Sequence, residues 1–340
     1  MMRRASILAC LSAVLLATAA DAAPKKAAPS PACAGRDIFT AMKKTDPEGY
    51  AKIRAAADAT PNAKALLWRI EGKGQPASYL FGTIHSTDER VNKLPPAVTA
   101  AFNSSKTVAL EFLEPDGGNL MLALGEQIAK KGVYAEGNGL KDVLTTAEFN
   151  TLRKTLAAEG IPANQAHVFK PWFVALTLAL PMCEKKRAEG GLPPMDRRIE
   201  KEATAQGKRL AGLETIAQQV DAMTAMPEDV QVKLLKATVA TIALRNDALE
   251  VLHRAYLARD LATSLPFSKR IIERAGHDPA SVDVFEREVS TKRNYAMRDT
   301  ALPLLQEGGA FIAVGALHLL GKEGLVELFR SAGYTVTAAE

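Results

Sequence analysis

The chain has 340 residues, 47% of them hydrophobic and 24% charged, with a formal net charge of +5. Charges of both signs are mixed along it without a dense Lys/Arg block, which argues against nucleic-acid binding. Beyond a targeting segment, about 300 residues remain, enough to bury a large core as one or two domains.

The first residues read as a signal peptide. Met1-Met2-Arg3-Arg4 is basic, Ile7 to Leu16 is a short apolar run, and Ala20-Asp21-Ala22 is a small-x-small cleavage site. The run is shorter than the roughly 20 residues a membrane span needs. The expectation is therefore export, a signal peptide over 1–22, and no stable membrane insertion after cleavage. Ile7-Leu8-Ala9-Cys10 resembles a lipid-attachment box, but the apolar run before it is short and continues past it. Residues 23–35, rich in Ala, Pro and Lys, should form a flexible leader, with a single domain over 36–340. Export implies a periplasmic or secreted location. Cleavage leaves Cys33 and Cys183, and an isolated pair in an oxidising compartment is expected to form a disulfide, two unpaired thiols being the other reading.

Asp37 to Ala57 has helical apolar spacing, interrupted at Asp46-Pro47. Leu66 to Ile70 and Ala77 to Phe81, separated by a Gly-rich turn, predict a hairpin. Pro95 to Asn103 predicts a helix with proline in its first turn. Thr107 to Phe112 reads as a buried strand carrying Glu111. From about Asn119 to Asp260 the pattern is mostly helical, with a capping box at Thr145 to Glu148 and one short strand, Lys208 to Leu213. Val282 to Leu305 predicts a helix, Ala310 to Val314 a strand, Gly321 to Ala332 a helix, and Gly333 to Val336 a closing strand. Strands thus cluster at both ends around a long helical insert. That arrangement predicts an α/β fold with a mixed central sheet.

Two short phrases match. Tyr79-Leu80-Phe81-Gly82-Thr83-Ile84-His85 and Phe311-Ile312-Ala313-Val314-Gly315-Ala316-Leu317-His318 are both apolar strands ending in Gly-x-x-His, and the chain has only five histidines. Sheets of this class place sites at the carboxyl ends of strands. His85, Glu111 and His318 all follow apolar runs, and two imidazoles with a carboxylate form a common ligand set for a catalytic divalent metal. A blander reading leaves the histidines bonded to nearby carbonyls and Glu111 solvated. Glu114 and Asp116 compete with Glu111 for a ligand role. Arg293-Asn294, just before the second histidine strand, offers a cation for an oxyanion or a substrate carboxylate, or else a surface charge. His167, His253 and His277 look ordinary. The His-Glu-x-x-His helix, the Gly-x-Ser-x-Gly elbow and the phosphate loop are all missing from the sequence.

Five segments, taken in order, carry a resemblance. They are Ser78 to His85, the strand with Glu111, Gly212-Leu213-Glu214-Thr215 followed by Gln218-Gln219, Arg293-Asn294, and Val314 to Gly321. Together they resemble the TraB/GumN family, related to the Tiki metalloproteases and the pheromone-shutdown proteins, over about Ala65 to Val336. The resemblance implies a split mixed central sheet flanked by helices, with a large helical insert between the two Gly-x-x-His units. It also implies a metal-dependent hydrolase of peptide bonds using manganese or cobalt, zinc being a further option. His85, His318 and Glu111 would hold the metal, Glu111 and Arg293 would serve catalysis, and Asn294 would contact the peptide or protein substrate. Two other expectations compete: a non-catalytic binding protein using the same cleft for a peptide, a metal or haem, and an envelope protein in which the histidines only pack.

Overall fold

The computed structural model describes residues 33–72, 74–113, 120–162 and 166–340. The signal peptide, residues 23–32 of the leader, Glu114 and Asp116 lie outside the described residues. Six strands form one mixed sheet: β1 (Leu67–Glu71), β2 (Ser78–Thr83), β3 (Thr107–Leu110), β4 (Arg209–Gly212), β5 (Ala310–Gly315) and β6 (Thr335–Ala338), in the order β4-β3-β5-β2-β1-β6. The predicted hairpin is present, β1 running antiparallel to β2. Strands β4, β3, β5 and β2 are mutually parallel, and β5, the late arrival in sequence, sits between β3 and β2.

The register positions the chemistry. Gly82 pairs with Val314 and Thr83 with Gly315, so the two Gly-x-x-His units lie side by side, one residue out of step. Leu110 pairs with Ala313, which brings Glu111 to the same edge of the sheet. Gly82 is held to glycine by packing. A Cβ there would stand 2.9 Å from the Ala316 Cβ and 3.0 Å from its Cα.

Both faces of the sheet are covered, as strands of continuous apolar character require. Along β5 the side chains alternate. Ala310, Ile312 and Val314 join Met297, Ala301, Leu305, Val326 and Phe329 on one face. Phe311 and Ala313 join Val98, Phe102, Ile199 and Ala203 on the other. The helical insert has a core of its own, built from Leu140, Leu152, Leu156, Val174, Leu178 and Leu235. Its helix Thr146–Ala158 starts at the predicted capping box, where Glu148 N–H donates to the Thr145 hydroxyl and Thr145 N–H to the Glu148 carboxylate. The expected disulfide is formed: Cys33 and Cys183, 150 residues apart in sequence, are bonded with their Cα atoms 5.3 Å apart.

Two helix expectations need correcting. The stretch 282–305 is not one continuous α-helix. Ala280–Glu286 and Lys292–Glu307 are joined by a π-helical turn, Arg287–Thr291, of a kind frequent at functional sites. The helix expected from Gly321 starts only at Leu325. Gly321 has φ +79°, the left-handed region, and residues 316–319 form a 3₁₀ turn instead.

Candidate functional site

The three residues singled out at strand ends come together. His85 Nε2 lies 3.8 Å and His318 Nε2 3.7 Å from the same oxygen, Glu111 Oε1. Each ring is fixed through its other nitrogen. His85 Nδ1 pairs with Asp196 Oδ2 at 2.7 Å, and Asp196 also accepts from the Thr83 hydroxyl at 2.5 Å. His318 Nδ1 pairs with Asn294 Oδ1 at 2.6 Å, while Asn294 Nδ2 donates to the Glu323 carbonyl at 2.8 Å. A carboxylate only accepts, and an amide oxygen only accepts. Both Nδ1 atoms therefore carry a proton, and each ring, when neutral, turns the lone pair of Nε2 inward; the tautomers are assigned from these bonds.

Glu111 is buried and held at both oxygens. Oε1 accepts from the Gly315 N–H at 2.6 Å, and Oε2 accepts from Arg293 Nη2 at 2.6 Å and from Gln219 Nε2 at 3.3 Å. Arg293 also binds Glu214 through Nη2 and through Nε, at 3.0–3.1 Å in the latter case, and its Nη1 donates to the Val289 carbonyl at 2.9 Å. That carbonyl belongs to the π-helical turn. Among the described residues, the Val289 carbonyl is the acceptor that Nη1 meets, which leaves its second hydrogen unused. Asn294, expected to touch substrate, is buried, with its amide engaged at both ends.

The electrostatics separate the two histidines. The Asp196 carboxylate raises the His85 imidazole above its ordinary value against the opposing effect of desolvation; 62% of the side chain is solvent-accessible, so water screens part of that pairing. Burial pushes His318 down to about 4, which leaves it neutral at pH 7. Burial by itself would raise Glu111, but the imidazoles, Arg293 and the Gly315 N–H outweigh it and hold the carboxyl well below its usual range.

Gly315 shows what the arrangement surrounds. Its φ of −51° and ψ of 131° suit any residue, so the backbone does not demand glycine. A Cβ there would stand 3.0 Å from Glu111 Oε1, 3.3 Å from His85 Nε2 and 3.6 Å from His318 Cδ2. A side chain would fill the space that the imidazoles and the carboxylate face. Among the described residues, no group of three or more His, Cys, Asp or Glu side chains is placed so that it could hold a metal ion as it stands. The donor chemistry nevertheless suits a divalent cation. Ligand atoms about 2.0–2.2 Å from one ion can stand up to about 4.4 Å apart, and the 3.7 and 3.8 Å separations fall inside that reach.

Sequence reasoning did not single out Asp196, which stands in the first turn of the amphipathic helix Met195–Ala205. An acidic residue there reads as ordinary helix-start chemistry. Glu214 was visible as part of a motif, though not as the partner of Arg293.

The profile of the TraB/PrgY/gumN family matches residues 66–338, from the threshold of β1 into β6. The chain is 24% identical to "Metalloprotease TIKI1" of Danio rerio over 317 residues, 80% of this chain and 62% of that protein. It is 24% identical to "Metalloprotease TIKI homolog" of Nematostella vectensis over 333 residues, 84% of this chain and 69% of that protein. "Metalloprotease TIKI2" of Xenopus tropicalis is 22% identical over 324 residues, 80% of this chain and 59% of that protein. The chain thus spans about three fifths of the length of such relatives. No solved structure matches it. With all six strands and every site residue named above inside the matched span, the chain belongs to the TraB/PrgY/gumN family.

Proposed function

We propose that this chain is an exported, metal-dependent hydrolase that cleaves peptide bonds in the periplasm or after secretion. One observation carries the reading: two imidazoles, each locked through Nδ1, direct Nε2 at one oxygen of a buried carboxylate across a space kept open by a glycine. The names of the similar Tiki proteins support the same chemistry. His85, His318 and Glu111 would hold the metal, manganese or cobalt first and zinc next. When bound, a divalent metal lowers the pKa of a water and polarises a carbonyl.

The chain's own residues do the rest. Asp196 and Asn294 orient the two imidazoles, as outer partners of metal-holding histidines do. Arg293 keeps Glu111 ionised and fixes its Oε2, so Oε1 alone faces the imidazoles. The remaining Nη1 hydrogen of Arg293 is available to a developing oxyanion. Glu111 Oε1 serves as third ligand or as the base that takes a proton from the attacking water. An extended peptide or protein segment is the substrate.

Elemental analysis of protein purified without chelator or histidine tag tests this, beside a folded His85→Ala/His318→Ala variant. Near-stoichiometric metal in the wild type and none in the variant is expected. Glu111→Gln separates the two roles of that residue: metal retained with hydrolysis lost makes it the base, and both lost makes it a ligand. Wild-type protein that takes up none of manganese, cobalt or zinc overturns the reading.

A further inference from the structure

We propose that Glu184 is a positioning residue for His85, and that the Cys33–Cys183 disulfide anchors the helix turn from which it acts. The inference rests on the reading of His85 as a metal-holding residue. His85 does not stand on a strand. It follows β2 in an irregular segment, residues 84–88, and among the described residues its ring is hydrogen-bonded to Asp196.

The segment is held from behind by a polar cluster. Glu184, only 4% exposed, accepts from the Thr87 N–H at 2.7 Å, the Thr87 hydroxyl at 2.9 Å and the Ser86 hydroxyl at 3.2 Å. These donors belong to the two residues that immediately follow His85. His253, 1% exposed, reaches the Ser86 hydroxyl at 2.8 Å, and Asn92 donates to the Ser86 carbonyl at 2.8 Å. If the Ser86 hydroxyl proton goes to Glu184, the His253 Nε2–H supplies the bond to Ser86 and its Nδ1 is left to accept from Arg90 at 3.4 Å.

Burying a carboxylate is costly unless its hydrogen bonds are made, and here they are made largely to the segment that carries His85. Apolar packing holds the start of the segment, through the buried Ile84, whereas residues 86–88 are Ser, Thr and Asp. Thr87 and Asp88 border a cavity of about 630 Å³, lined also by Cys33, Arg90, Arg187 and Glu250. The position of the residues after His85 therefore depends on directional bonds, and Glu184 supplies three. Its own position is set by the disulfide. Cys183 is its chain neighbour in the first turn of the helix Met182–Glu189, and the Cys33 sulfur stands 3.9 Å from Glu184 Oε1.

The test uses the full chain and two readouts. The first is affinity for manganese or cobalt, measured by competition with a chelating indicator. The second needs no metal: the NMR signal of the His85 Nδ1 proton and its exchange with water. Glu184→Ala should bind metal about 10-fold more weakly and exchange the His85 proton faster, since outer partners of metal ligands govern affinity at about 10- to 100-fold. Glu184→Gln, which keeps an acceptor for Thr87, and Cys33→Ala/Cys183→Ala should each show about a 3-fold loss. Asp46→Ala, which breaks the ion pair with Arg270, should leave both readouts at wild-type values. A folded Glu184→Ala protein with wild-type affinity and wild-type exchange overturns the proposal. Wild type that binds no metal, with faster exchange in Glu184→Ala, overturns the metal reading and leaves the positioning role standing.

Discussion

Replacing Gly315 with alanine separates the site from the fold. The backbone there, φ −51° and ψ 131°, is one that alanine adopts freely. At compatible positions Gly→Ala stabilises by about 0.4–1 kcal/mol, through lost freedom of the unfolded chain. Against that stands a methyl group 3.0 Å from Glu111 Oε1 and 3.3 Å from His85 Nε2, contacts that push both groups outward by a few tenths of an ångström. Overpacking of that kind costs about 1–3 kcal/mol in a closed core. Here one neighbour, the His85 ring, is 62% exposed and can turn aside. The two effects should nearly cancel, leaving the unfolding free energy within about 1 kcal/mol of wild type. Metal affinity should fall by at least about 10-fold, because the methyl occupies the space the donors share. Chelator competition and urea unfolding on the same preparation check both halves. A Gly315→Ala protein with wild-type metal affinity would refute the idea that this glycine keeps the site open. Gly82→Ala supplies the contrast. Its methyl would meet Ala316 at 2.9 Å inside the core, so it should lower stability by about 1–3 kcal/mol.

Two further outcomes follow from the ion pairs. Arg293→Met leaves Glu111 and Glu214 together, buried and without their shared cation, and should cost about 3–5 kcal/mol in urea unfolding; a loss under about 1 kcal/mol would show that Arg293 does not neutralise them. Asp46, which caps the helix Pro47–Asp58, is lowered from 3.8 to about 2 chiefly by its hydrogen bonds with Arg270. A depressed carboxyl contributes its stabilisation fully above the unfolded value and loses it as pH falls towards the folded one. Asp46→Asn should therefore be less stable than wild type at pH 7, and the gap should close between about pH 4 and pH 2. A gap that stays constant over that range contradicts the pairing.

The legible and the hidden parts of this site differ in kind. Gly-x-x-His could be read because a short continuous apolar run followed by a glycine and an imidazole is local information. The same holds for the β1–β2 hairpin, the capping box at Thr145 and the break at Asp46-Pro47. The π-helical turn at Arg287–Thr291 could not be read, because a single extra residue per turn leaves the apolar pattern almost unchanged. Asp196 and Glu184 look like ordinary first-turn acids until the fold buries them against His85 and the residues after it. His253 reads as one more polar position on a helix, yet it is buried on the Ser86 hydroxyl.

The sequence by itself determined which strands lead into the imidazoles and the carboxylate, where the helical insert lies, and that Cys33 and Cys183 were available to pair. Those features follow from periodicity, turn chemistry and residue counts, which act over a few neighbours. Tertiary structure alone decided that β5 slots between β3 and β2, so that residues 111 and 318, far apart in the chain, meet within 3.7 Å. It also decided which acids are buried, which nitrogen of each histidine faces inward, and why Gly315 has no side chain. Strand order and burial are set by how two faces of one sheet are covered at once, and no local stretch of sequence contains that balance.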